Sequence, residues 1–179
     1  MDLMGRQYFE NYGLKIIRTR LYSHSGFGRS DIFALSFFVK QAVAGGLKLQ
    51  EPVIKHGNLE SVRTWAHIDD AVKAYWLVKD CTPGEVYNIG GEQTTTIGEA
   101  LNFIMSEAMK RYPGHQYRLE QDPLLIRPTD VTMQICNTSK FRKETGWKPE
   151  KYLINILDDL FSYWHEQLTT SPWKAKTVI

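Results

Sequence analysis

Residues 14–31, LKIIRTRLYSHSGFGRSD, carry the reading that sets the fold class. The LKIIRTRL run is rich in apolar and β-branched side chains and predicts a buried strand over 14–21. The polar, glycine-bearing YSHSGFGRSD after it reads as a loop that serves a site rather than as a hairpin. From Asp31, an expected N-cap, Ile32, Leu35, Val39, Ala42 and Val43 follow helical spacing until Gly45 and Gly46 are expected to break it. Strand, loop and helix in that order point to an α/β fold.

Working outward, residues 2–12 predict a helix with Met4, Tyr8 and Tyr12 on one face, stopped by Gly13. Downstream, short strands are expected over 52–56 and 62–66 around a GNLES turn. A helix over 67–80 follows, with Ile68, Ala71, Val72 and Tyr75 in one buried stripe. A strand over 85–89 comes next. Thr96 and Glu99 then form a capping box that opens a helix carrying Ile97, Ala100, Leu101, Ile104, Met105 and Ala108 at helical spacing. After a loop containing RPTD, Asn137 can cap a short helix closed by Gly146. A last helix turns Leu153, Ile156, Leu157, Leu160, Phe161, Trp164 and Leu168 inward. The organisation expected is one domain over 1–169 and a mobile tail over 170–179, with no internal repeat.

A formal charge of +2 is too balanced to argue for nucleic acid or a membrane surface, so any bound anion must be met by placed residues. No apolar run reaches the roughly 18 residues of a membrane helix. Cys81 and Cys136 are far apart and outside any CxxC pair, which supports neither a disulfide framework nor a zinc site and makes a reducing cytoplasm the default. The five histidines show no metal-ligand spacing, and no nucleophile motif is present, so no metal site is expected.

The loop after the first strand places His24, Gly26, Gly28 and Arg29 where α/β proteins collect ligands; as a plain surface loop, its glycines would only make turns. Arg63, inside the strand-like RTWAH, needs a carboxylate or phosphate partner. Arg127 and Asp130, in RPTD, raise the same question. Arginine forks match phosphate oxygens and a carboxylate accepts from sugar hydroxyls, so these three suit a sugar diphosphate; structural salt bridges are the alternative. Tyr75 and Lys79 form a YxxxK, but Tyr75 falls in the apolar stripe and reads as a core residue beside a surface lysine. Trp65, Trp76, Trp147 and Trp164 read as core or interface anchors.

Taken together, YGLKIIRTR, HSGFGRSD, KHGNLESVRTWAHIDDAVKAYW, GEVYNIGG, LLIRPTDV and TSKFRKETGWKPE resemble, in order, the extended short-chain dehydrogenase/reductases of sugar-nucleotide metabolism. Within that family they look most like the GDP-mannose 4,6-dehydratases and the neighbouring GDP-4-keto-6-deoxymannose reductases. The resemblance implies the C-terminal, substrate-binding part of the fold with the last strands of a Rossmann-like sheet. It assigns Lys40, Arg63, Arg127 and Asp130 to the nucleotide and diphosphate of a GDP-sugar such as GDP-mannose. Ser23 and His24 would reach between cofactor and sugar. The family usually has asparagine at Ser23 and proline at Phe27. The NADP-binding glycine-rich turn and the catalytic Ser or Thr, Glu and YxxxK would precede the start of this chain, so no catalytic residue is expected in it and none of the cofactor is expected to be held by it alone.

Strands 14–21 and 85–89 would be the last two of a parallel sheet with a bare hydrogen-bonding edge, which seeks a second copy or a separate N-terminal half. Three functions follow as expectations: a dehydratase-like or reductase-like portion inert alone, a GDP-sugar-binding module, or an interaction protein.

Overall fold

The computed structural model describes residues 1–170; apart from Thr170, the tail expected to be mobile lies outside them. The chain runs α1 (Asp2–Tyr12), β1 (Arg18–Leu21), β2 (His24–Ser25), α2 (Ala34–Gly46), β3 (Val53–His56), β4 (Val62–Thr64), β5 (Ala66–His67), α3 (Ile68–Val78), β6 (Val86–Ile89), β7 (Thr94–Thr96), α4 (Ile97–Arg111), β8 (Arg118–Gln121), β9 (Met133–Gln134), α5 (Ser139–Thr145) and α6 (Leu153–Thr170). The α/β alternation matches the sequence reading. β1 and β6 are parallel, with Arg18 opposite Val86 and Leu21 opposite Ile89. β2 pairs with β5 and β3 with β8, both in parallel, while β4 lies between antiparallel β7 and parallel β9.

Two apolar cores follow from these elements. Tyr87 and Ile89 of β6 pack with Ala74, Phe141 and Trp147. The larger core joins α2, α4 and α6 through Phe38, Val39, Leu101, Ile104, Leu157, Leu160 and Trp164. α2 buries residues on nearly its whole circumference because α4, α6 and β3 surround it. The capping box at Thr96 and Glu99 forms in both directions, and α1 and α5 end at left-handed Gly13 and Gly146 as expected.

Several boundaries and burials differ from the sequence reading. β1 begins at Arg18 rather than 14, because Gly84 N–H bonds to Ile16 O ahead of the ladder and β6 begins only at Val86. Asp31 does not cap α2. The helix starts at Ala34, and the Asp31 carboxylate is held instead by Lys40 Nζ at 2.7 Å. α2 ends at Gly46, as the glycine pair leads one to expect, and the two glycines form its last turn, where they let it pass close to its neighbours. A Cβ on Gly45 would sit 2.9 Å from Pro52 Cα, and one on Gly46 would enter the Tyr112 ring at 2.3 Å.

On α3 the buried residues are Asp70, Ala71 and Ala74, whereas Val72, Tyr75 and Trp76 are exposed at 61%, 46% and 72%. Tyr75 is therefore not a core residue and Trp76 not a core anchor; Trp65, Trp147 and Trp164 are buried. Asp70 is fully buried; its Oδ2 accepts the backbone N–H groups of Glu150 and Lys151 at 3.0 and 2.9 Å, which fixes the loop before α6, while Oδ1 is buried without a hydrogen-bond partner among the described residues.

Candidate functional site

The loop that joins β1 to α2 forms one wall of a cleft of about 590 Å³. The facing wall comes from the Gly57–Ser61 turn, from β4, and from the chain between Leu125 and Gln134. β4 is central here because it has a strand on each side, and β9 brings the 125–134 segment back beside it. Val62 N–H bonds to Thr132 O at 2.8 Å, which holds Asp130 against the β4 turn.

Arg63 is mostly buried, with 14% of its side chain exposed. It donates to Val62 O at 2.8 Å, and its Nη2 lies 3.5 Å from Asp130 Oδ1. Asp130 also accepts from Ser61 Oγ at 2.7 Å and Asn58 Nδ2 at 3.3 Å. The Ser61 hydroxyl is the main cause holding the Asp130 carboxyl below its ordinary value. The Asn58 amide and the Arg63 charge add to it against partial burial. Arg127 lines the same cleft and makes no side-chain hydrogen bond or ion pair among the described residues.

Ser23 and His24 also line the cleft. Ser23 Oγ donates to Gln134 Oε1 at 3.3 Å, and His24 Nδ1 meets Tyr22 O at 3.1 Å. Of the six residues singled out from the sequence, five are thus brought together. Lys40 is not among the lining residues. Its ammonium is bound to Asp31, which does line the cleft, and lies 5.2 Å from the Trp164 ring centroid.

The sequence reading missed the aromatic wall formed by Phe33, Phe37 and Trp65, and it missed the Ser61 and Asn58 hydroxyl and amide that anchor Asp130. The spacing of Phe33 and Phe37, one helical turn apart, was the available signal. The loop wall is itself fastened to α6: Asp159 Oδ2 accepts Phe27 N–H at 3.2 Å and lies 3.0 Å from His67 Nε2. His67 Nδ1 in turn accepts from Asp69 N–H, capping α3. Among the described residues no group of three or more His, Cys, Asp or Glu is placed to hold a metal.

Tyr75 and Lys79 stand apart from the cleft. Tyr75 Oη accepts from Thr19 Oγ1 at 3.3 Å, and Lys79 pairs with Asp80 at 2.8 Å. The cleft therefore offers guanidinium groups, a fixed carboxylate and aromatic faces. That donor set suits the phosphates, hydroxyls and base of a nucleotide.

Residues 1–160 match the family model described as GDP-mannose 4,6 dehydratase. The chain is 28% identical over 167 residues to GDP-mannose 4,6 dehydratase 2 of Caenorhabditis elegans, covering 86% of this chain and 43% of that one. It is 24% identical to GDP-6-deoxy-D-mannose reductase of Pseudomonas aeruginosa, covering 87% of this chain and 50% of that one. Among solved structures, RMD from Pseudomonas aeruginosa complexed with NADPH superposes with a TM-score of 0.82 at 22% identity, over 93% of this chain and 54% of that one. DesIV, a dTDP-glucose 4,6-dehydratase from Streptomyces venezuelae with NAD and TYD bound, gives 0.78 at 23% identity, over 96% and 50%. These structural likenesses show the fold, that of the extended short-chain dehydrogenase/reductases. The chain spans about half the length of the relatives it matches.

Proposed function

The chain belongs to the GDP-mannose 4,6 dehydratase family, and from that premise we propose that it is the substrate-binding portion of a nucleotide-sugar enzyme, inert by itself. In this reading the cleft takes a GDP-sugar, with GDP-mannose the first candidate. Arg63 and Arg127 meet the diphosphate, and Asp130 aims Arg63 and accepts from a hydroxyl. Lys40 reaches the nucleotide by leaving Asp31, while Ser23 and His24 face the reacting side. The observation that carries the reading is the convergence of Arg63, Arg127 and Asp130, from distant parts of the chain, on one aromatic-walled cleft.

NADP, which the family implies, does not fit the residues present as a resident group. Its diphosphate needs the backbone N–H groups of a glycine-rich strand–turn–helix, and Ser23 and His24 are already engaged with Gln134 and Tyr22. The Tyr75–Lys79 pair is off the cleft, so on this reading it supplies no general acid for a hydride step there. Cys81 and Cys136 are free thiols, in keeping with a reducing, cytoplasmic setting.

The same reading assigns the outer edge of β1 to a partner, a second copy or a separate N-terminal half. Arg18 N–H bonds to Glu85 O and Tyr22 N–H to Ile89 O, so the groups of Thr19 and Leu21 point the other way, where no strand lies among the described residues. On the far side of β6, Lys140 Nζ donates to Val86 O and the Asn88 side-chain amide donates to Asn137 O. The exposed Val72, Tyr75 and Trp76 flank β1 through the Tyr75–Thr19 contact.

Parallel calorimetric titrations with GDP-mannose, GDP, a UDP-sugar and NADP test the function. Binding of the two GDP ligands without NADP is the expected result. Silence from all four would leave the interaction-protein reading in front.

A further inference from the structure

The loop wall of the cleft is held from behind by one helix, α6. Phe27 N–H donates to Asp159 Oδ2 at 3.2 Å, and the Phe27 ring meets the ring of Tyr163, one turn further along α6, edge-on at 5.2 Å between centroids. Trp164 reaches the same loop through a relay: its Nε1 donates to Ser36 Oγ at 2.8 Å, and that hydroxyl donates to Arg29 O at 2.5 Å. Three residues of α6 thus secure residues 27–29, which continue directly from Ser23, His24 and Ser25 on the cleft face.

Asp159 is the charged member of this attachment, and it is itself held. His67 is buried, with 1% of its side chain exposed. Its Nδ1 accepts from Asp69 N–H at 3.1 Å, so the ring hydrogen sits on Nε2 and is donated to the same Asp159 Oδ2 at 3.0 Å. The loop has little slack to move independently. Ser25 lies opposite His67 in the β2–β5 ladder, and Ala66 N–H bonds to Ser23 O at 2.9 Å. A Cβ on Gly26 would sit 2.5 Å from Ile68 Cγ2 and 3.4 Å from Asp159 Oδ2. An apolar pair of the same volume would pack α6 here without the cost of desolvating a carboxylate. What the polar pair adds is a fixed direction and distance for Phe27 N–H.

We propose that Asp159, its carboxylate fixed by His67, is a positioning residue of the cleft: it sets where the loop wall stands, and through Ser23 and His24 it decides how firmly the sugar end of a ligand is gripped. The inference rests on the reading of the cleft as a nucleotide-sugar site. Neither Asp159 nor His67 is among the lining residues, so both act through the loop and not by touching the ligand.

The test titrates the full chain with GDP-mannose and GDP by calorimetry, comparing wild type with Asp159→Ala, Asp159→Asn and the control Asp158→Ala, whose carboxylate pairs with Arg111 instead. Asp159→Ala is expected to weaken GDP-mannose binding by about fivefold or more and to leave GDP binding as in wild type. Asp159→Asn, which keeps an acceptor oxygen, should recover most of the loss, and the control should match wild type. GDP-mannose bound undiminished by Asp159→Ala, equal losses for both ligands, or an Asn variant no better than Ala overturns the positioning role. Nitrogen-15 NMR of wild type covers a variant that fails to fold: the Phe27 amide must exchange slowly and the His67 ring must carry its hydrogen on Nε2, and failure of either overturns the proposal. Silence of wild type toward both ligands sinks the proposed function, and the loop attachment is then decided by the Phe27 amide alone, released in Asp159→Ala if the inference holds. Ligand binding with that amide unchanged in Asp159→Ala does the reverse, keeping the function and removing the positioning role.

Discussion

Arg63 Nη2 stands 3.5 Å from Asp130 Oδ1 while its Nη1 donates to Val62 O at 2.8 Å, so the ion pair aims the guanidinium without saturating it. At that separation the contact is electrostatic rather than a hydrogen bond of normal length. Donors on Arg63 are left for a ligand. Arg63→Ala is expected to weaken GDP binding by about tenfold or more, with Asp130→Ala costing less, because it removes the aim and keeps the charge. Calorimetry on both variants checks the order. A larger loss in Asp130→Ala would mean that the carboxylate itself touches the ligand.

The Asp130 carboxyl should titrate below the usual aspartate range, chiefly because the Ser61 hydroxyl donates to it. A folded-state value below the unfolded one means that this group adds stability above about pH 4 and loses that contribution as pH falls through the folded value. Carboxyl NMR titration of wild type and Ser61→Ala measures this. The resonance midpoint is expected to rise in the variant, and an unchanged midpoint would remove Ser61 as the main cause.

Gly45→Ala sets two effects against each other. Alanine favours an exposed helix over glycine by up to about 1 kcal/mol. Here the new methyl would lie 2.9 Å from Pro52 Cα, a backbone atom that cannot swing aside. Overpacking of that kind costs about 1–3 kcal/mol. Net destabilisation is expected in urea unfolding. A variant more stable than wild type would show that α2 and β3 separate easily.

Thr19→Pro removes an N–H that points away from β6 and leaves the inward-facing Arg18 and Arg20 in their ladder positions. Proline is tolerated on such an outer edge. If β1 is where the chain pairs with a copy of itself, sedimentation should show association in wild type and a monomer in the variant, with little change in melting. A monodisperse wild-type monomer would count against that edge as an interface.

Much of the fold was legible because the signals are local. The Thr96–Glu99 box, the left-handed glycines 13 and 146 and the inward faces of α4 and α6 depend on residues within a turn or two of each other. The errors fell where a distant neighbour decides. Asp31 pairs with Lys40 rather than capping α2, which begins at Ala34, and on α3 the buried face holds Asp70, bound to the backbone N–H groups of Glu150 and Lys151, while Val72 and Tyr75 are exposed.

For the candidate site, the sequence alone singled out arginines 63 and 127 with Asp130, and a glycine-bearing loop at a strand end. Only the tertiary structure decided which of those charges are already neutralised. Arg63 is partly tied, Lys40 is paired with Asp31, and Arg127 and Arg29 make no side-chain hydrogen bond or ion pair among the described residues. The reason is physical. Residue type and spacing set what a side chain can bind, but whether its donors remain free depends on acceptors brought to it from elsewhere in the chain, and those meet only when the molecule folds.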